Sequence, residues 1–352
     1  MTGTRSDTER AESAGPVSPM NLLDLVSSGR RPPTTLLIND VTLREAEQGS
    51  GVVFPLATKL AIANALVSLG VRQFQVGYPG RFARDREAAH AVVREVPNAT
   101  VEVVALAFVE DWKSEIDACA STGAQIIHIT NRSSERLRRI SGASREAALE
   151  RTAAAIHHAK SMAHTVTFAP SDATRTEVDF LAELWTVAAN AGADRVYVAD
   201  SVGVATPDVM AFLVKAAREA TGLPVGVHCH NDFGLAVANT VAGVMAGATV
   251  ADVAVNGLGD RAGNAPLEEV AAALALLYDI HTGIDLAALT RTSLLLAAAS
   301  GRPLTPNKPV TGPGVFTHVL PTHIEAIGKD TRSLQPYEPE LVGNEQRLEP
   351  RQ

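Results

Sequence analysis

The sequence predicts an α/β protein, a closed (β/α)8 or TIM barrel with a small C-terminal helical appendage, and three observations carry that prediction. From Leu36 onward, short β-branched runs alternate with longer stretches of helical period, the pattern of repeated βα units on a parallel sheet. Eight such pairs fit into about 250 residues, the usual span of a closed barrel. The polar segments of unusual composition fall at the carboxyl ends of the predicted strands, where a barrel of this kind collects its reactive groups. The other topology weighed, an open doubly wound sheet, lacks the glycine fingerprint after its first strand.

Taken in order, the first strand (residues 36–40) leads to a helix over 57–69 that Gly70 ends. The second (73–76) leads to a helix over 86–95, and the third (101–107) to one over 112–121 that Gly123 ends. After the fourth strand (125–130), Ser144 with Ala147 and Ala148 starts the helix over 145–161. The fifth (165–168) precedes a helix over 177–191 stopped by Gly192. The sixth (195–199) precedes 207–220, opened by Thr206-Pro207 and closed by Gly222. The seventh (225–229) precedes 235–246, with Gly247 after it, and the eighth (250–255) precedes 266–277. The punctuation has a mechanism: hydroxyls cap helix N-termini, proline suits the first turn, and glycine takes the left-handed residue past the end.

Three regions follow. Residues 1–33 are polar and read as a disordered tail without chemistry; 34–280 form the barrel; 281–352 lose the strand-helix alternation. In that last part 285–300 is expected to be helical, Pro303, Pro306, Pro309 and Pro313 mark an extended linker, and 316–328 is expected to be helical again. So little apolar mass needs another surface to pack on, and exchange of the appendage between the subunits of a homodimer is expected.

The chain of 352 residues is 46% hydrophobic but only 4% aromatic, which suits an Ala/Val/Leu-rich core of good size. Its net charge of −8 without a dense basic stretch argues against nucleic acid or an anionic membrane as partner. The two cysteines, Cys119 and Cys229, lie in apolar patterns, so no disulfide framework is expected and a cytoplasmic location fits. No signal peptide is read, and the longest apolar stretches, 270–278 and 294–299, are too short to span a bilayer.

Three polar segments would meet at one mouth: Asn39 to Gln48 after the first strand, His228 to Gly234 after the seventh, and Asn256 to Asn264 after the eighth. The first and eighth strands of a closed barrel are neighbours. Alternate residues of a strand share a face, so His228 and His230 project together and Cys229 points to the opposite layer. Two imidazoles, a carboxylate and a carboxamide make a mixed nitrogen and oxygen set that suits Mg²⁺, Mn²⁺, Co²⁺ or Zn²⁺.

Three runs, Asp40-Val-Thr-Leu-Arg44-Glu45, His228-Cys-His230-Asn-Asp-Phe-Gly and Gly257-Leu-Gly-Asp-Arg-Ala-Gly-Asn264, resemble the signatures of a metal-dependent superfamily of acyltransferases and lyases on TIM barrels. It contains homocitrate, isopropylmalate and citramalate synthases and hydroxymethylglutaryl-CoA lyase. The resemblance covers nearly all of 36–343, including Ala199-Asp-Ser-Val-Gly203 and Tyr337-Glu-Pro-Glu-Leu-Val-Gly343, and is greatest to homocitrate synthases. It implies metal ligation by Glu45, His228 and His230 with Asn264 bound or nearby, and stabilisation by Arg44 of the oxyanion formed from a 2-oxo acid. It also implies acetyl-CoA as co-substrate, and proton transfer by His323 reaching into the neighbouring subunit's site. Gln48, Arg81, His128, Arg138 and Ser201 are the candidate substrate-binding residues.

Four positions depart from the family pattern. A usual Ser-x-Glu-Asp reads Ala169-Pro170-Ser171-Asp172, and a usual Glu-Val-Gly reads Gln75-Val76-Gly77, which deletes two carboxylates. Pro321-Thr322-His323 stands where Ser-Gly-Ile-His is usual, and Ala46 replaces a glycine, acceptable only if that residue keeps a negative φ. Extra cations follow the second strand (Arg81, Arg84) and the fourth (Arg132, Arg136, Arg138, Arg139). Fewer carboxylates and more guanidinium groups at one mouth favour a diacidic 2-oxo acid: 2-oxoglutarate first, then oxaloacetate or phosphonopyruvate. Two rivals stand beside a Claisen-type acyltransferase. One is a carbon-carbon lyase, whose family carries a cysteine in the loop that here reads Asp260-Arg261-Ala262; the other is an inactive barrel serving as a binding protein.

Overall fold

The structure, a computed structural model, describes residues 33–162 and 165–351. The tail expected over 1–33 therefore lies, except for Pro33, outside the described residues. Eight parallel strands close in sequence order: β1 Leu37–Asp40, β2 Gln73–Gln75, β3 Thr100–Leu106, β4 Ile126–Arg132, β5 Thr165–Ser171, β6 Arg195–Asp200, β7 Val225–Cys229 and β8 Val250–Val253. Closure is made by β1 on β8, with Leu37 opposite Val250 and Asp40 opposite Val253. The (β/α)8 architecture read from the alternation is the one found.

Punctuation acts as its chemistry requires. Ser144 accepts from the Ala147 amide at 3.1 Å to start the helix Arg145–Lys160, and Thr206 accepts from the Val209 amide ahead of Pro207–Thr221. Gly70 and Gly222 take φ of 108° and 68° directly after their helices. Two expected boundaries are corrected. The fifth strand, expected over 165–168, runs on through Pro170 to Ser171, because Pro170 sits near the strand's end, where one missing donor costs little. A short helix, Glu135–Ser141, intervenes after β4; its arginine-rich turns carry no apolar stripe, and only its cap shows in the sequence, Ser134 accepting from the Leu137 amide.

Outside the barrel, β-branched strand faces and alanine-rich helix faces form one continuous apolar layer. Cys229, as expected, is buried in it. Inside the barrel the apolar cluster is small: Ala169, Tyr197 and Val250 with Leu37 beside them. Much of the remaining lumen is polar and buried, including Asn39, Gln75, Glu102, Thr167 and Asp252.

The appendage packs on its own barrel. Its helix Leu289–Ser300 lies against the helix Leu56–Leu69, and Leu289, Leu296, Phe316 and Val342 join the main core. Thr290 donates to the Val342 carbonyl at 2.7 Å. Helix is found over Pro321–Lys329 rather than from residue 316; Thr317–His318 instead pairs with Arg347–Leu348, and Pro321 opens the helix where proline belongs.

Candidate metal centre and substrate cavity

After β1 the chain makes one helical turn, Thr42–Glu45, and a 3₁₀ turn, Ala46–Gln48. Asp40 anchors them by accepting from the Thr42 amide and hydroxyl, each at 2.9 Å. Ala46 has φ −59°, so the side chain where the family has glycine is accommodated without strain. The turn delivers Arg44, Glu45 and Gln48 to the mouth, opposite the end of β7.

Glu45, His228 and His230 each offer a ligand atom, and these atoms lie within 4.8 Å of one another. Glu45 Oε1 is 3.5 Å from His228 Nε2, and Oε2 is 3.9 Å from His230 Nε2. Both separations are too long for good hydrogen bonds. His228 Nδ1 meets Asp252 Oδ2 at 3.0 Å, and His230 Nδ1 meets the Asp200 carbonyl at 3.1 Å. Those acceptors place a proton on each Nδ1 and aim both Nε2 lone pairs toward Glu45. His230 Nε2 is buried with no hydrogen-bond partner, as is Asn264 Oδ1; the backbones of these two residues bridge. Converging lone pairs around a carboxylate repel unless a cation shares them, so the residues fit a divalent ion. Gly259 makes room for Asn264: a Cβ there would come 2.0 Å from Asn264 Nδ2.

Arg44 is held from three sides. Its Nε donates to Gln75 Oε1 at 2.7 Å, its Nη1 to the Tyr78 hydroxyl at 2.9 Å, and Nη1 also lies 2.6 Å from Glu45 Oε1. Burial raises the Glu45 pKa, but the Arg44 guanidinium beside it outweighs burial and holds that carboxyl well below the usual range. Behind Arg44, Gln75 Nε2 donates to Glu102 Oε2 at 2.8 Å. Asn39 Nδ2 donates to the same oxygen at 2.7 Å and to Asp252 Oδ1 at 2.8 Å. A continuous buried hydrogen-bonded chain therefore joins Arg44 to His228. The charge missing at Gln75 is supplied by Glu102 one strand away.

Arg44, Glu45, Gln48, His128, Ser201, His228 and His230 line one cavity of about 270 Å³. Asn264 stands behind it. Three expected residues are elsewhere. Arg81 donates to Glu115 and, at 2.6 Å, to Asp111. Arg138 is buried with Nε on the Ser133 carbonyl at 3.0 Å and its guanidinium 4.8 Å from the Phe180 ring centroid. Neither lines the cavity, because each cation found a nearer acceptor or ring. His323 sits on the appendage helix and does not line the cavity of its own chain. Of the other expected cations, Arg84 lies near Glu47 and Asp85, and Arg139 pairs with Glu135. Arg132 lies 4.3 Å over the ring of Phe108, which lines the cavity, and has no carboxylate partner among the described residues. At the position of the absent glutamate, Ser171 lines the cavity and shares a 2.7 Å hydrogen bond with Thr130. Asp172 turns away to Arg175 at 2.8 Å.

Sequence reasoning missed Asp252, Glu102 and Tyr78. The first two had a signal, since each is the sole charge inside a predicted apolar strand. Tyr78, in a loop, had none.

Comparison with known proteins places this geometry. The HMGL-like family model matches residues 35–296. A probable 2-isopropylmalate synthase of Ignicoccus hospitalis is 42% identical, over 90% of this chain and 79% of the relative. Homocitrate synthase AksA of Methanopyrus kandleri is 39% identical with the same two coverages. (R)-citramalate synthase CimA of Methanocaldococcus jannaschii is 38% identical over 88% of this chain and 63% of its own. Among solved structures, the hydroxymethylglutaryl-CoA lyase of Bacillus subtilis superposes with a TM-score of 0.69 at 19% identity, covering 80% of this chain and 98% of that one. The lyase of Pseudomonas aeruginosa gives 0.67 at 22%, covering 77% and 95%; at such identities the likeness is one of fold. Sequence, architecture and site agree: the chain belongs to the HMGL-like family.

Proposed function

We propose that the protein is a Claisen-type acyltransferase that condenses acetyl-CoA with a 2-oxo acid and then hydrolyses the thioester. The observation that carries this reading is the convergence of Glu45, His228 and His230 beside a fixed Arg44. A divalent ion held by those three residues, with Asn264 alongside, supplies Lewis-acid polarisation of a chelating keto acid when bound. The set admits Mg²⁺, Mn²⁺, Co²⁺ or Zn²⁺. Arg44, locked by Gln75 and Tyr78, places positive charge where the keto oxygen becomes anionic, and needs no reorganisation to do so. Ser201 and Gln48 line the same cavity and present polar groups to the acid. Homocitrate, isopropylmalate and citramalate synthase names among the relatives support the reaction type.

For acetyl-CoA, a second cavity of about 600 Å³ begins where the first ends, at Ala46 and Arg261, next in sequence to Glu45 and Asp260 of the first. The glycine-rich loop and the linker residues Arg302 and Lys308 line it. The acid is proposed to be diacidic, 2-oxoglutarate before oxaloacetate or phosphonopyruvate. Support for that has narrowed to Arg132, which lies over the cavity-lining Phe108 ring and has no carboxylate partner among the described residues. His323 is proposed to serve the neighbouring subunit of a homodimer. No helix among the described residues is long and apolar enough to cross a membrane, and a cytoplasmic location is proposed.

Free thiol release from acetyl-CoA, measured with each acid and with 2-oxoisovalerate, tests the reading. Release that requires both added metal and a diacid is expected. A preference for 2-oxoisovalerate contradicts the choice of acid, and release with no acid at all contradicts the reaction.

A further inference from the structure

Resting on that reading, we infer that Lys59 is a positioning residue for the reaction, acting on Arg44 through Glu47 and Asp85. The helix Leu56–Leu69 turns Lys59 inward, where it is 2% exposed. Its ammonium lies 2.6 Å from Glu47 Oε2 and 3.3 Å from Asp85 Oδ1, and both carboxylate side chains are shielded from solvent. Arg84, the other cation nearby, is exposed and stands 3.8 Å from Glu47 and 3.9 Å from Asp85. Replacing a buried ion cluster by apolar side chains of similar volume is often neutral or stabilising, so stability alone gives little reason for this one. What the charge adds is direction: it holds two carboxylates in a single arrangement.

Each carboxylate passes that arrangement on. Glu47 belongs to the 3₁₀ turn Ala46–Gln48 that follows Arg44 and Glu45, and its other oxygen accepts from the Phe54 amide at 2.9 Å. The segment is thereby tethered at its far end, as Asp40 tethers its beginning. Asp85 Oδ2 accepts from the Tyr78 amide at 2.9 Å. Gly77, just before it, has φ 85° and sits so close that a Cβ would meet Asp85 Cγ and Oδ2 at 2.5 Å. Glycine alone combines that φ with that approach, so the β2 loop rests directly on the carboxylate. The Tyr78 hydroxyl accepts from Arg44 Nη1 at 2.9 Å, and its ring centroid lies 5.4 Å from the guanidinium carbon.

Two routes therefore lead from one ammonium to Arg44. The route through Glu47 holds the backbone that carries the arginine, and the route through Asp85 and Tyr78 holds its guanidinium. Lys59 lines neither cavity and meets no substrate. Its effect is confined to where Arg44 stands, and a catalytic group misplaced by about 1 Å can cost on the order of 10²-fold in rate.

The test uses the full-length protein with Mn²⁺, acetyl-CoA and the acid giving the fastest thiol release, at a temperature where circular dichroism shows every variant folded. Lys59→Met keeps the length of the side chain and removes its charge. It is expected to lower kcat about 10–100-fold, with both KM values changed less than about threefold and Mn²⁺ binding retained. Should that variant not fold, Lys59→Gln replaces it. Because both routes end at Arg44, adding Lys59→Met to Arg44→Lys is expected to lower kcat by less than about threefold further, whereas a residue that only supports the fold would multiply its loss with the other. The Nε–H resonance of Arg44, assigned through Arg44→Lys, is expected to shift in Lys59→Met. Losses that multiply, an unmoved Arg44 resonance, or a Lys59→Met kcat within about threefold of the parent overturn the inference and leave the proposed function standing. An Arg44→Lys variant as fast as the parent removes the role of Arg44 and the inference with it. Parent protein that releases no thiol with any acid overturns the proposed function as well.

Discussion

The two halves of the barrel mouth were drawn from similar sequence signals and turned out differently. On the β7–β8–β1 half, Glu45, His228 and His230 converge while Asn264 stays outside their cluster, and each imidazole is oriented by an acceptor behind it. On the β4–β5 half, the expected anion clamp dispersed: Arg138 packs on Phe180, and Arg139 pairs with Glu135. The difference is one of geometric freedom. Strand alternation and barrel closure fix where a short side chain on β7 points. An arginine on a loop or a short helix reaches several angstroms in any direction and takes the nearest acceptor.

The largest effect is expected at the rigid half. Glu45→Gln should abolish turnover and weaken Mn²⁺ binding more than about 100-fold, beyond the 10–100-fold typical of outer-shell partners, as read by calorimetry; near-parental affinity would remove Glu45 from the site. Arg44→Lys comes next. Lysine keeps the charge but cannot hold Gln75 and Tyr78 at once, so kcat should fall about 10²–10³-fold, the scale of a lost oxyanion donor, with Mn²⁺ affinity nearly unchanged.

The loose half is sharpened by a pair. Arg132→Gln should raise KM for 2-oxoglutarate roughly tenfold, about the 1.4 kcal/mol of one exposed charge-assisted contact, and leave KM for acetyl-CoA alone. Arg138→Gln should leave both KM values unchanged and cost about 1 kcal/mol of stability through its stacking on Phe180. Interchanged outcomes would return the clamp to Arg138.

An effect on stability alone, without bearing on turnover, concerns Asp40, whose carboxyl is raised to about 7 by burial despite its bonds to Thr42. The folded chain then holds a proton that the unfolded chain has lost, so stability is fully present below about pH 4 and declines as pH rises toward about 7. At 1.36 kcal/mol per unit, the decline is at most about 4 kcal/mol. Urea unfolding with chelator present should show it in the parent and not in Asp40→Asn; parallel profiles would contradict it.

What could be read in advance follows the same division. Strand and helix order, the glycine and serine punctuation, and the His228/His230 pair depend on periodicity and local chemistry, both written in the sequence. Residue 46 was a conditional expectation, and its φ of −59° met the condition. The lumen was not legible. A barrel interior is usually filled by branched apolar residues, whereas here Asn39, Glu102, Thr167 and Asp252 meet there through contacts up to 213 residues apart. Such partners are chosen by closure, which no local pattern records. Pro170 and the helix Glu135–Ser141 were missed for the opposite reason, because local rules were followed where position along the barrel decided.

Pulsed electron paramagnetic resonance of one equivalent of Mn²⁺ bound to the parent protein tests the metal centre most directly. Couplings from two imidazole nitrogens are expected, with one lost in His228→Gln and the other in His230→Gln. Mn²⁺ that binds without nitrogen coupling, or fails to bind at all, contradicts a centre built from Glu45, His228 and His230.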